Sequence, residues 1–150
     1  DEKALRDFYG LGPQGVNALP DPLVNVTDAL EASVRAWLVI NEQISLGRGP
    51  EFQIGHGVLM SDVKPQTLPL AEALGTLCVG WAKVRAHVEE VFFGDTRGIA
   101  ATLNALDGPA FNPFKLAETT FADDLRFRLE GPTNFNEDNI YPALRAFAKG

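Results

Sequence analysis

The stretch Glu51-Phe52-Gln53-Ile54-Gly55-His56-Gly57-Val58-Leu59-Met60 separates two long helical patterns and carries one of the two histidines of the chain. Glycines flank that histidine, so the backbone there can turn sharply or come close to another group. Glu51 to Ile54 alternates polar and apolar, which predicts a short strand or extended segment near 51–59, with Phe52 and Ile54 pointing inward. What lies on either side decides the fold class.

Upstream, Val26, Leu30, Val34, Trp37, Leu38 and Ile44 recur at three- and four-residue steps, one face of a helix from about Val26 to Leu46. Asn25 or Thr27 can cap it, and Gly47 with Gly49-Pro50 ends it. Asn41 falls inside the stripe. A buried amide must find hydrogen-bond partners, so Asn41 either ties down the following loop or meets a ligand. Downstream, Leu70, Leu74, Leu77, Trp81, Val84, Val88 and Val91 form a second stripe, from about Leu68 to Phe92, with Pro69 suited to its first turn. Gly75 and Gly80 each cost this helix about 1 kcal/mol against alanine, which suggests that another backbone packs closely there.

The remaining elements are shorter. Residues 2–9 can form a helix with Leu5, Phe8 and Tyr9 on its apolar side, followed by a loop rich in Gly and Pro. Asp95 or Thr96 can cap a third helix through Ile99, Leu103 and Leu106. The segment from 107 to 124 has no clean period. Leu125 to Glu130 alternates strictly and reads as a half-buried strand. A last helix starts near Asn136 or Asn139 and ends at Lys149, with Pro142 tolerable only in its first turn. The expected organisation is a helix and linker over 1–25, a helical domain over 26–106, and a C-terminal extension over 107–150 carrying a strand and the terminal helix. The fold class is mainly α.

With 45% apolar and 22% charged residues, the chain can bury an ordinary core. A net charge of −7 argues against a nucleic-acid surface, which needs clustered Lys and Arg. The single cysteine excludes an internal disulfide and fits a reducing compartment. No apolar run approaches the roughly 18 residues of a membrane span. No G-x-x-x-x-G-K-[ST], G-x-G-x-x-G or G-x-S-x-G occurs. Asp1 has no preceding methionine and helical patterning starts at once, so the chain is expected to be a segment of a longer protein.

Little chemistry is spelled out locally. His56, Cys78 and His87 lack zinc-motif spacing, and Cys78 sits on the buried stripe with His87 opposite, so no metal site is expected. A thiol among Leu74, Leu77 and Trp81 resists ionising and serves as core. His56 stands out, because an imidazole between two glycines can donate to a phosphate or a carbonyl without crowding.

In the chain's order, Leu38-Val39-Ile40-Asn41-Glu42-Gln43-Ile44, a glycine turn, Phe52-Gln53-Ile54-Gly55-His56, then Trp81, Phe92-Phe93 and Gly94-Asp95 form an ordered set. This set resembles the C-terminal part of McrB-type AAA+ NTPases, the motor subunits of modification-dependent restriction systems. The resemblance covers roughly residues 26–106. It departs from the family at Gly57, where Ser is usual, and at Val58-Leu59, where aromatics are usual.

The resemblance implies a helical AAA+ lid-like subdomain, with residues 107–150 as a variable extension. It implies that GTP or ATP with Mg²⁺ is held by an upstream AAA+ core, with no cofactor in this segment and no catalysis by it alone. It implies packing against that core and against neighbouring subunits of a homo-oligomeric ring in the cytoplasm, with a nuclease subunit as a further partner, no direct nucleic-acid contact and no membrane. Residues near the nucleotide or the lid–core seam would be His56 first, then Gly55, then Asn41 as an orienting group, with Gln53 and Arg48 behind them. Two rivals stand beside this reading. One is a non-enzymatic protein–protein interaction module, the other a small enzyme using His56 with an acid such as Asp62.

Overall fold

A computed structural model describes residues 1–15 and 17–149. The central element is α2 (Val26–Gly47), started by the Asn25 side chain accepting from the Asp28 N–H at 3.0 Å. Its stripe of Leu30, Val34, Trp37 and Ile44 is buried as the periodicity predicts. Ala29, Ala32 and Ala36 are buried as well, because α2 is covered on several sides. Small side chains let neighbouring elements approach it on those faces.

Packed on α2 are α1 (Glu2–Tyr9), α3 (Leu70–Val91), α4 (Thr96–Thr102) and α5 (Ile140–Phe147). The fold is mainly α, with one two-stranded antiparallel sheet. Helix α1 closes on Gly10, whose φ of 70° is the left-handed cap that glycine supplies at no cost. Helix α3 buries Leu74, Leu77, Trp81, Val84 and Val88. Pro69 stands just before its first turn, where its carbonyl accepts from the Ala73 N–H at 2.9 Å. Gly80 is indeed approached closely: a Cβ there would lie 3.2 Å from Leu59 Cδ2. Gly75 has open space above it.

The strand expected near 51–59 is not formed. Pro50–Phe52 and His56–Leu59 are single 3₁₀ turns, and only Gln53 to Gly55 is extended. Among the described residues no neighbouring strand is there to pair with, and Pro50 starts a local turn instead, with the Gln53 N–H bonded to the Pro50 carbonyl at 3.2 Å. Phe52, expected inward, is 45% exposed, whereas Ile54 is buried. Helix α4 also stops earlier than its pattern predicts. Asn104 adopts φ 53° and the Ala105 N–H bonds back to the Ala100 carbonyl at 2.7 Å, so Leu106 falls outside the helix.

The segment without a clean period contains a strand, β1 (Lys115–Phe121), paired with β2 (Asp124–Glu130), where the alternation places a strand. Ala122 and Asp123 join them with φ of 50° and 66°, the geometry of a type I′ hairpin turn. Helix α5 accepts Pro142 within its first turn. Ile140, Leu144 and Phe147 of α5 join the same apolar core as Leu30, Ile40, Trp81 and Val84. Phe147 packs beside Trp81, Phe114 and Phe135 with ring centroids 5.9–6.5 Å apart.

Candidate functional site

Asn41 is the residue from which the site is built. It lies on the buried face of α2, facing the extended piece that follows the helix. Its Nδ2 donates to the Ile54 carbonyl at 2.9 Å and its Oδ1 accepts from the Ile54 N–H at 2.6 Å. Trp37 Nε1 donates to the same carbonyl at 2.9 Å. Gln53 Nε2 reaches back to the Asn41 main-chain carbonyl at 3.1 Å. The main-chain N–H and carbonyl of one residue, Ile54, are thus held by two side chains of α2, and its own side chain fills the core beneath. Asn41 therefore ties the loop down, the first of its two alternatives.

The clamp presents Gly55 and His56 at the surface. Gly55 has an ordinary extended backbone, φ −68° and ψ 151°, so no unusual conformation demands glycine there. A Cβ on Gly55 or on Gly57 would meet nothing within 4 Å. The room over both is free for another backbone. His56 starts the 3₁₀ turn, with its Nδ1 3.0 Å from the Asp1 nitrogen, and among the described residues its Nε2 has no hydrogen-bond partner. No hydrogen bond or ion pair joins His56 to Asp62.

An open cleft of about 620 Å³ runs beside Gly55, between the start of α1 and the second half of α2. Trp37, Leu38, Leu46 and Ile54 give it an apolar floor, and Asn41 and Gln53 also line it. Its charged side chains are those of Asp1, Glu2 and Glu42, and no Lys or Arg side chain lines it. Such a surface repels phosphate and suits apolar or cationic groups.

Four of the five candidates, Asn41, Gln53, Gly55 and His56, therefore meet in one place. Arg48 does not join them. Its guanidinium pairs with Asp95 at 3.1 Å and lies 4.7 Å above the Phe92 ring. Asp95 in turn caps α4 by accepting from the Gly98 N–H at 2.9 Å. Arg48 fastens the end of α2 to the start of α4.

The sequence did not disclose His87, whose Nε2 lies 2.8 Å from the Phe52 carbonyl and straps the loop to α3. Nor did it disclose the polar centre beneath the 56–59 turn. There Trp81 Nε1 donates to Ser33 Oγ at 2.9 Å, with the Tyr9 hydroxyl 3.3 Å from the same oxygen. Burial pushes the Tyr9 phenol up to about 12, against the opposing pull of its Ser33 bond. Cys78 is half-buried, and burial, followed by the nearby Glu137 charge, raises its thiol. Among the described residues no three of His, Cys, Asp and Glu are grouped to hold a metal ion, and no helix is long and apolar enough to cross a membrane.

No protein-family model, curated protein or solved structure matches this chain.

Proposed function

We propose that the chain is the helical lid of a McrB-like AAA+ NTPase, a subdomain that closes on an upstream GTP- or ATP-binding core and carries its nucleotide state to ring neighbours and a nuclease partner in a cytoplasmic restriction system. It rests first on the resemblance over residues 26–106. The observation that carries it is the Asn41 clamp, which holds Gly55 and His56 rigidly outward with open space over the glycines and a free imidazole nitrogen. A preorganised loop of this kind meets another surface at little ordering cost. Because the adjoining cleft is acidic, the loop is assigned to the lid–core seam and the phosphates to the core. A lid of this kind supplies rigid-body motion and no catalytic group.

Reading the gene upstream of Asp1 and assaying its product tests this. The expected result is a G-x-x-x-x-G-K-[ST] followed by an acidic Mg²⁺-binding strand, with GTP or ATP turnover in the whole protein and none in residues 1–150 alone. His56→Ala in the whole protein should then lower turnover. An upstream region without a phosphate-binding loop, or turnover by residues 1–150 alone, would overturn the reading. The first of these outcomes would leave a protein–protein interaction module.

A further inference from the structure

A second groove lies between the last turn of α3, α4 and β2, and it shares no residue with the cleft beside Gly55. It holds about 410 Å³ and is lined by Phe93, Ile99, Phe127 and Leu129, together with Glu89 and Arg128. Phe93 is 90% exposed, on a main chain that is hydrogen-bonded. Its N–H bonds to the Glu90 carbonyl, and the Asp95 N–H closes the turn on the Phe92 carbonyl at 2.8 Å. A large aromatic side chain carried into water on an ordered turn is a ready anchor for a partner.

Beside it runs an unused strand edge. The sheet has only two strands, and among the described residues no hydrogen bond reaches the backbone of 124–130 from anything but β1. Alternate residues of an antiparallel strand turn their N–H and C=O away from their partner, so β2 offers an open ladder. The pairing with β1 runs without a bulge from Lys115↔Glu130 to Phe121↔Asp124, and β2 contains no proline. The outer half of the hairpin leaves Phe121 68% and Leu125 57% exposed.

Charge narrows the occupant. Arg126 and Arg128 are matched within β2 by Asp124 and Glu130, and Arg85 is matched by Glu89. Arg97 of α4 lies 5.1 Å above the Phe127 ring and has no carboxylate partner among the described residues. A chain of net charge −7 thus keeps one unmatched cation beside an apolar groove and a free strand edge.

We propose that this groove docks an extended, acidic segment of a partner protein. The segment pairs with the edge of β2 as a third strand, sets an apolar side chain against Phe93 and Ile99, and places a carboxylate on Arg97. A polynucleotide suits the site less well, because it brings a phosphate at every residue past Glu89, Asp124 and Glu130 with Arg97 alone unmatched, whereas the segment needs one carboxylate. A second copy pairing β2 with β2 about Phe127 would set Arg126 against Arg128 and Asp124 against Glu130, like against like.

The test is a display library of random peptides selected on the chain and counter-selected on Phe93→Ser. The enriched peptide is then measured by fluorescence anisotropy and amide hydrogen exchange. Phe93 and Arg97 are both exposed, so circular dichroism should show that the variants fold. The expected winners carry an apolar and an acidic residue two positions apart, which puts both on the groove face of a strand, lose at least about tenfold in affinity to Arg97→Glu, and slow exchange in β2 and not in β1. Repeating the selection on Arg97→Glu should enrich basic residues instead. The proposal is overturned if nothing enriched depends on Phe93, if Arg97→Glu leaves affinity unchanged, or if protection falls on β1. A concentration-dependent dimer abolished by Phe93→Ser would give the groove to a second copy. Displacement of the peptide by a single-stranded oligonucleotide would give it to nucleic acid.

Discussion

Asn41 and Ile54 exchange two hydrogen bonds, the amide oxygen of one accepting from the N–H of the other at 2.6 Å and the amide nitrogen donating to its carbonyl at 2.9 Å. The pair links the middle of α2 to the loop thirteen residues on, inside the core. Asn41→Ala leaves the Ile54 N–H buried and unpaired, while its carbonyl keeps Trp37. Two lost bonds and one unsatisfied donor should cost roughly 2–4 kcal/mol. Urea unfolding checks this, and a loss below about 0.5 kcal/mol would mean that the clamp does not hold the loop.

Gly75 and Gly80 lie on the same helix with opposite surroundings. Gly75 has open space, so Gly75→Ala should stabilise by about 0.5–1 kcal/mol through helix propensity and chain entropy. At Gly80 a Cβ meets Leu59 at 3.2 Å, so Gly80→Ala should gain little and Gly80→Val should destabilise by about 1–3 kcal/mol. Thermal unfolding of the three variants distinguishes the sites, and equal gains from alanine at both would contradict the close approach of the 56–59 turn.

The long helices were legible because Val34, Trp37, Leu74 and Trp81 repeat at the helical period and nothing interrupts them. The role of Asn41 was legible for a related reason, since an amide in an apolar stripe has to be paired. Other features depend on tertiary context. Glu51 to Ile54 has the alternation of a strand but no partner edge, and Pro50 turns it. Strand β1 is exposed along most of its length, and its turn residues Ala122 and Asp123 take positive φ without the glycine that marks such turns. The bond from His87 to Phe52 spans thirty-five residues and exists only because the loop returns to α3. Arg48 is near Gly55 in sequence, yet the packing of α4 turns it toward Asp95.

Both tyrosines of the chain are shifted in the same direction, which gives a pH prediction. Burial raises each phenol to about 12, and for Tyr141 the Asp28 charge adds to it. For Tyr9 the folded state holds its proton after the unfolded state has lost it. Stability is therefore full below pH 10 and falls as pH rises from 10.0, the ordinary phenol value, toward 12. The slope should approach about 1.4 kcal/mol per pH unit for Tyr9, with a smaller share from the less enclosed Tyr141. Tyr9→Phe should flatten the alkaline limb. Phenolate absorbance of the native chain should stay low through pH 10, and early ionisation of both tyrosines would refute the burial argument.

His56 separates folding from function. Among the described residues its side chain's one hydrogen-bond contact is with the Asp1 nitrogen, and the clamp that positions the loop passes through Ile54 instead. His56→Ala should therefore change stability by no more than about 0.5 kcal/mol in urea. Gly55→Val has open space at the substituted position and an ordinary φ, so it too should fold normally. If these residues face the upstream core, both variants should lower nucleotide turnover in the whole protein, His56→Ala by removing a donor and Gly55→Val by filling the approach. Gln53 offers a contrast, because its Nε2 is engaged with the Asn41 carbonyl, so Gln53→Ala should loosen the loop and lower stability where His56→Ala does not. A whole protein that keeps full turnover with His56→Ala and Gly55→Val would remove this loop from the lid–core seam.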